Sequence, residues 1–246
     1  MRALIVGFAW TAPLIAIIVW PFAPAAGIAV VACSHALLLY PTLRANTQWF
    51  GPVITHFAAS GREIWLTIDD GPTDDTPAIL DALARRGVRA TFFLKGALAQ
   101  SRPDLLAAIE SAGHGVGNHS YTHPSGTFWC LLPGEIAGQI DRASAVLGSR
   151  DCFRAPVGMK NPAVHPALRE RGMHLIGWTV RGFDTVTADP ARIEARILPR
   201  VEPGAIVVLH QGRPHSLDCI TRVVDALLAD GYAFVVPEEE RLKTNR

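Results

Sequence analysis

The charges of this 246-residue chain are unevenly spread: as far as Leu43 the only Lys, Arg, Asp or Glu is Arg2, and all the others begin at Arg44. So long an uncharged stretch cannot form the surface of a water-exposed domain, and the two parts of the chain are read separately. Ala3 to Trp20 is roughly as long as the shortest bilayer span, and Gly27 to Leu43 is a second run of similar length. Trp20 fits an interfacial anchor, and Pro21-Phe22-Ala23-Pro24 would break a continuous helix. The expectation is a membrane segment over residues 1–45, built as two short transmembrane helices with a tight turn between them. A linker over 46–62 and a single domain over 63–240 follow. A cleaved signal peptide competes, because Arg2, an apolar stretch and the small residues Ala23 and Ala25 fit its plan; the second apolar run weighs against it. A hairpin would put both its ends on one side of the bilayer. Arg2 and Arg44 lean toward the cytoplasmic side without deciding it.

The remainder can build a substantial core, since 49% of the chain is hydrophobic. A formal net charge of +1 gives no electrostatic case for nucleic acid as a partner. Of the four cysteines, Cys33 lies in the second apolar run and Cys130, Cys152 and Cys219 lack metal-type spacing, so all are read as core thiols. Past Arg62, β-branched runs alternate with helical patterns. Strands are expected at 63–68, 90–94, 115–118, 152–155, 174–179, 205–209 and 233–236. Helices are expected at 76–86, 103–112, 134–147, 163–171, 190–198 and 216–229. That alternation argues for parallel strands, in a barrel or a strongly curved open sheet, with reactive residues gathered past the strands' carboxyl ends.

Five motifs meet that demand. Asp69 and Asp70 end an apolar strand in Thr67-Ile68-Asp69-Asp70-Gly71-Pro72; this could be a plain Asp-Gly-Pro turn, but Asp69 would sit at the edge of a buried strand, where an unpaired carboxylate is costly. His119 and His123 in His119-Ser120-Tyr121-Thr122-His123-Pro124 are four apart, so on one helical turn both rings could ligate one ion, and a carboxylate from another strand end would complete an open two-His, one-Asp site. Arg154 precedes a Pro156-Val157-Gly158 turn, where it could orient a carboxylate while the turn offers a backbone N–H. Trp178 to Asp184 and the apolar strand ending in His210 complete the set; Asp184 could orient His210 and raise its pKa toward an acid role.

In order and placement these motifs resemble the polysaccharide deacetylase family, the nodulation-factor-type domain of carbohydrate esterase family four, over about Glu63 to Pro237. The resemblance implies an α/β fold, a distorted barrel of about seven parallel strands. It also implies an amide hydrolase acting on N-acylated, typically N-acetylated, amino sugars of a polysaccharide or glycolipid. By matching positions it implies Asp70, His119 and His123 as ligands of one divalent metal ion, zinc by usual expectation, with cobalt or nickel able to use the same donors. Asp69 is implied as general base, aimed by Arg154; His210 as general acid, held by Asp184; and the Val157 N–H as oxyanion donor, with Trp178 as a substrate wall. The chain departs from the family in three places: Arg181 stands where an Asp is common, Thr185 where a Trp is common, and Val157 where an aromatic residue is common. These departures alter the walls that hold the sugar rather than the chemistry. The alternatives are a deacylase of a lipid-linked amino sugar or a non-sugar amide, and an inactive glycan-binding membrane protein. A bacterial inner membrane is the expected location.

Overall fold

A computed structural model describes residues 1–244. Two helices come first, α1 (Arg2–Val19) and α2 (Pro24–Leu43). They pack against each other, with Pro24 opening α2, where its missing N–H costs nothing. Leu4, Trp10, Ile17 and Ile18 are exposed on α1, and Phe22 is exposed in the turn between the helices. The rest of the chain forms β1 (Ile54–Phe57), β2 (Glu63–Gly71), α3 (Thr76–Ala84), β3 (Thr91–Leu94), α4 (Gly96–Ser101), α5 (Pro103–Ser111), β4 (Gly115–Asn118), α6 (Pro133–Leu147), β5 (Cys152–Phe153) and α7 (Val164–Arg169). It continues through β6 (His174–Leu175), β7 (Val180–Arg181), α8 (Pro190–Ile197), β8 (Ile206–His210), α9 (Ser216–Ala229), β9 (Ala233–Phe234) and β10 (Leu242–Thr244).

Seven strands run in the order β6-β5-β4-β3-β2-β8-β7, every neighbouring pair parallel, and β9 joins the start of β2. Edge strands β6 and β7 do not pair. β1 lies across that opening, bridging Ile54 to Ile176 and His56 to Ala205, so the expected seven-stranded barrel is present as an incomplete one. The alternation along β2 explains the layering. Ile64, Leu66 and Ile68 point outward with Phe92, Leu94, Val207 and Leu209, into a core shared with Ile79, Leu83, Ile220, Val223 and Leu227 of the covering helices. Trp65 points inward with Phe93 and Ile206. Continuing the inward set in steps of two leads to Thr67 and then Asp69, which is in register with His210 at the end of β8.

Four expectations differ from the structure. The 174–179 strand is split into β6 and β7, because the Ile176 and Gly177 carbonyls accept hydrogen bonds from the Arg154 guanidinium at 3.3 and 2.9 Å instead of extending a ladder. The 46–62 stretch expected as a linker contains β1 and buries Phe50, Val53, Ile54 and Phe57 against the domain. His119 and His123 lie in a loop, not on a helical turn. Finally, Cys33 and Cys130 are exposed and Cys152 is half-buried, so only Cys219 is a core thiol.

Candidate active site

Asp69 reaches the interior as the last inward residue of β2 and is 3% exposed. Its Oδ1 accepts a 2.6 Å hydrogen bond from Arg154 Nη1, and the same nitrogen donates to Thr67 Oγ1 at 2.8 Å. With its other nitrogens on the Ile176 and Gly177 carbonyls and its guanidinium 4.2 Å over the Phe93 ring, Arg154 has one orientation available, and it fixes Asp69 in turn. Removing either partner would leave an uncompensated buried charge.

Asp70 follows with φ 77°, a left-handed conformation that turns its carboxylate out of the strand and into the cleft. Gln211 braces this bend from beneath: its N–H donates to the Asp69 carbonyl, and its Oε1 accepts from Thr73 and Thr76. Its side-chain amide occupies the space a Cβ on residue 71 would need, which is why Gly71 stands there.

The histidine loop is set by hydrogen bonds rather than by helical geometry. Asn118 Oδ1 accepts from the Ser120 N–H, Ser120 Oγ from the His123 N–H, and Gln139 Oε1 from the N–H groups of Tyr121 and Thr122. Ser120 and His123 take positive φ as a result, and the two rings converge with centroids 4.6 Å apart. His119 Nδ1 sits 2.8 Å from the Arg154 carbonyl, which requires the proton on Nδ1 and leaves the Nε2 lone pair facing the cleft. That Nε2 lies 3.9 Å from Asp70 Oδ1, and His123 Nε2 lies 3.5 Å from the same oxygen.

One carboxylate oxygen and two ring nitrogens within 4.8 Å of one another could hold a metal ion. The oxygen itself supports the fit: Asp70 Oδ1 is buried and has no hydrogen bond, and Lys95 Nζ, 2.8 Å away, forms an ion pair with it outside hydrogen-bonding geometry. Burial opposes charge on Asp70, but His119 and Lys95 outweigh it and hold the carboxyl at about 2. Burial also pushes His119 below the usual imidazole range and, with the neighbouring His119, takes His123 to about 3, so both rings present neutral lone pairs.

Across the cleft, His210 Nδ1 is 3.0 Å from Asp184 Oδ1, while Asp184 Oδ2 accepts the His210 backbone N–H at 2.6 Å. Burial works to lower the His210 pKa, but the Asp184 hydrogen bond and charge, backed by Asp69 and Asp70, overcome it and raise it. Its free Nε2 lies 4.0 Å from Asp69 Oδ2. Val157 stands at the cleft wall in a short turn with φ 49°, and its N–H donates to no group among the described residues. A β-branched residue in that region is strained.

Asp69, Asp70, His119, His123, Val157, Trp178, Asp184 and His210 therefore line one cleft of about 500 Å³, with Arg154 buried beneath it. Sequence reasoning did not single out Lys95, Phe183 or Arg213, which share the cleft. The strand-end rule that found the others would have found Lys95, the first residue past β3, and Arg213, three residues past β8.

A buried Asp–Arg pair beside a His–Asp pair thus faces an acid–imidazole cluster at the strand ends of an open parallel barrel. The sequence profile of the family described as polysaccharide deacetylase matches residues 58–176. A chitooligosaccharide deacetylase of Bradyrhizobium sp. is 34% identical over 161 residues, 62% of this chain and 72% of that protein. The peptidoglycan-N-acetylglucosamine deacetylase PgdA of Listeria monocytogenes is 32% identical over 74% of this chain, a match that spans only 39% of PgdA. Among solved structures, the family 4 carbohydrate esterase of Streptomyces lividans superposes with a TM-score of 0.68 at 29% identity, covering 75% of this chain and 97% of that one. BA3943 of Bacillus anthracis, a pseudoenzyme of the same family, superposes with a TM-score of 0.67 at 27% identity, covering 73% and 65%. The chain belongs to the polysaccharide deacetylase family, the carbohydrate esterases of family four.

Proposed function

We propose that this protein is a membrane-anchored, metal-dependent deacetylase that removes the N-acetyl group of an amino sugar in a glycan. The observation that carries the reading is the convergence of three groups in one cleft: the Asp70–His119–His123 cluster, the Arg154-clamped Asp69, and the Asp184-held His210. A pseudoenzyme among the structural relatives makes the completeness of this set the deciding point.

Asp70, His119 and His123 would hold the ion, and two nitrogens with one oxygen suit zinc, which when bound acidifies water and polarises a carbonyl. Asp69 accepts the proton of the attacking water, with Arg154 keeping its carboxylate in a single orientation. The Val157 N–H donates to the amide oxygen as negative charge develops there. An amine leaves an amide poorly until it is protonated, so His210 delivers a proton from Nε2 to the sugar nitrogen. Asp184 holds the ring by Nδ1 and stabilises the charged form that this step requires. Trp178 forms a wall for the sugar ring.

Anchoring is proposed from α1 and α2, which pair with each other and leave Trp10, Ile17, Ile18 and Phe22 exposed; helices of 18 and 20 residues are about 27–30 Å long, enough to cross the hydrocarbon layer. Metal stoichiometry measured alongside turnover tests the whole reading. The protein should bind about one zinc per chain and release acetate from N-acetylated oligosaccharides, and His123→Ala should lose both. Folded, zinc-loaded protein that released no acyl group from any amino sugar would refute it.

A further inference from the structure

Two features bear on how the sugar reaches the cleft, given the deacetylase reading above, on which the inference rests. The first is where the cleft stands relative to the apolar hairpin. The chain leaving α2 is tied to the cleft wall: Lys160, fully buried, donates from Nζ to the Arg44 and Ala45 carbonyls at 2.9 and 2.7 Å. Asn46 Nδ2 donates to the Trp178 carbonyl at 2.7 Å, and the Trp178 N–H approaches Asn46 Oδ1 at 3.4 Å. Gly158, with φ 73°, admits this close approach, since a Cβ there would collide with both Ala45 and Trp178. Gly158, Met159 and Trp178 are themselves cleft wall. Asn46 is the third residue past Leu43, the end of α2, a reach of at most roughly 11 Å. With α2 taken as a membrane span, as proposed above, this tie holds the Gly158–Trp178 wall of the cleft within that reach of the bilayer surface.

The second feature is unpaired positive charge. Among the acids of the cleft, Asp69 is paired with Arg154, Asp184 with His210, and Asp70 belongs to the ligand cluster. Arg181 is half-buried in the wall with its guanidinium 3.9 Å over the Phe183 ring and 5.5 Å from Trp178, and it makes no ion pair among the described residues. Arg213 lines the same cleft and is likewise without an ion pair among the described residues, whereas Lys95, the other cation of that wall, is paired with Asp70. An exposed arginine such as Arg213 is content in water, but the partly desolvated Arg181 guanidinium, packed on aromatic faces, is held at a cost that the charge of Asp184, already bonded to His210, offsets only in part. A planar donor fork matches a phosphate in two parallel hydrogen bonds.

We propose that the substrate is an N-acylated amino sugar joined through phosphate to a membrane lipid, with Arg181 and Arg213 receiving the phosphate while Trp178 bounds the sugar. The two features are independent: the tether sets the height of the cleft above the lipid, and the arginines set the charge of what enters it.

The experiment reconstitutes the full-length protein, with zinc, in phosphatidylcholine vesicles and measures acetate release from three acceptors. These are neutral tetra-N-acetylchitotetraose, soluble N-acetylglucosamine 1-phosphate, and N-acetylglucosamine linked by phosphate to a polyprenol in the same vesicles. The lipid-linked sugar should exceed the neutral oligosaccharide at least roughly tenfold in kcat/KM, as one well-formed charge-assisted contact would provide. Arg213→Gln, at an exposed position, and Arg181→Gln should each shrink that ratio about fivefold or more. Turnover of the neutral oligosaccharide equal to or above that of both phosphates overturns the proposal while leaving the deacetylase reading intact. Soluble sugar phosphate matching the lipid-linked form overturns its membrane half. Silence on all three acceptors removes the deacetylase reading itself.

Discussion

The two flanks of the cleft are built on different principles. On the flank formed by β2, β4 and β5, the deepest groups are buried and held by the protein: the Arg154 guanidinium makes four hydrogen bonds, Asp69 is clamped, and His119 is locked in one tautomer by a main-chain carbonyl. On the flank past β7 and β8, Phe183 and Arg213 are exposed, and Arg181 lies over the Phe183 ring with no ion pair among the described residues. His210 and Asp184 are the exception on that flank, and they are as tightly joined as anything opposite. The difference teaches that groups which touch bonds being broken are immobilised, because geometry sets the rate, whereas groups that recognise the rest of the substrate are left open for it to complete.

Substitutions can break this contrast. The largest effect is expected for Asp69→Asn, which keeps shape and hydrogen-bonding reach but removes the base: turnover should fall by about 10³-fold or more while zinc stays bound. Loss of the metal as well would move Asp69 into the ligand set. Arg154→Met should lower unfolding free energy by about 3–5 kcal/mol, measured by denaturant titration, because Asp69 would be left buried without its partner. A change below about 1 kcal/mol would mean that water replaces the guanidinium.

Asp184→Asn tests the tight pair on the open flank. Asp184 raises the His210 pKa against the pull of burial, and an acid catalyst is lost as pH rises through that pKa. Removing the charge should therefore move the alkaline limb of the kcat/KM profile to lower pH and reduce the maximum by roughly 10²-fold. An unmoved limb would assign that limb to another group. The smallest effect is expected at Val157→Gly. Relief of left-handed strain, about 1–2 kcal/mol, is offset by the chain entropy glycine loses, about 0.5–1 kcal/mol, so stability should move by roughly 1 kcal/mol or less. The N–H survives, so turnover should change less than about threefold; a tenfold loss would give the side chain a role of its own.

Legibility followed the strand ends, on both flanks. Period-two alternation along β2 places Asp69 inward at a strand end, and the same logic delivers His210, so a strand-end rule was enough to bring them together. Legibility failed where tertiary hydrogen bonds overrule local pattern. The 174–179 run reads as one strand, yet its middle carbonyls are diverted to Arg154, a partner more than twenty residues away. His119 and His123 have helical spacing, yet Asn118, Ser120 and Gln139 bend them into a loop; the convergence was right and the mechanism of convergence was not. Likewise, polar residues around Phe50, Val53 and Phe57 made residues 46–62 read as a linker, although these apolar side chains are core. The link between Arg44–Asn46 and the cleft wall has no local signature at all, because Lys160 and Trp178 join it from more than a hundred residues away.

The most direct test of the central claim is acetate release from tetra-N-acetylchitotetraose by purified full-length protein, before chelation, after it, and after zinc is returned. Metal-dependent deacetylation predicts release that stops on chelation and resumes with zinc. Release that survived complete removal of metal, or folded zinc-loaded protein that released nothing from this or any other amino-sugar acceptor, would contradict it.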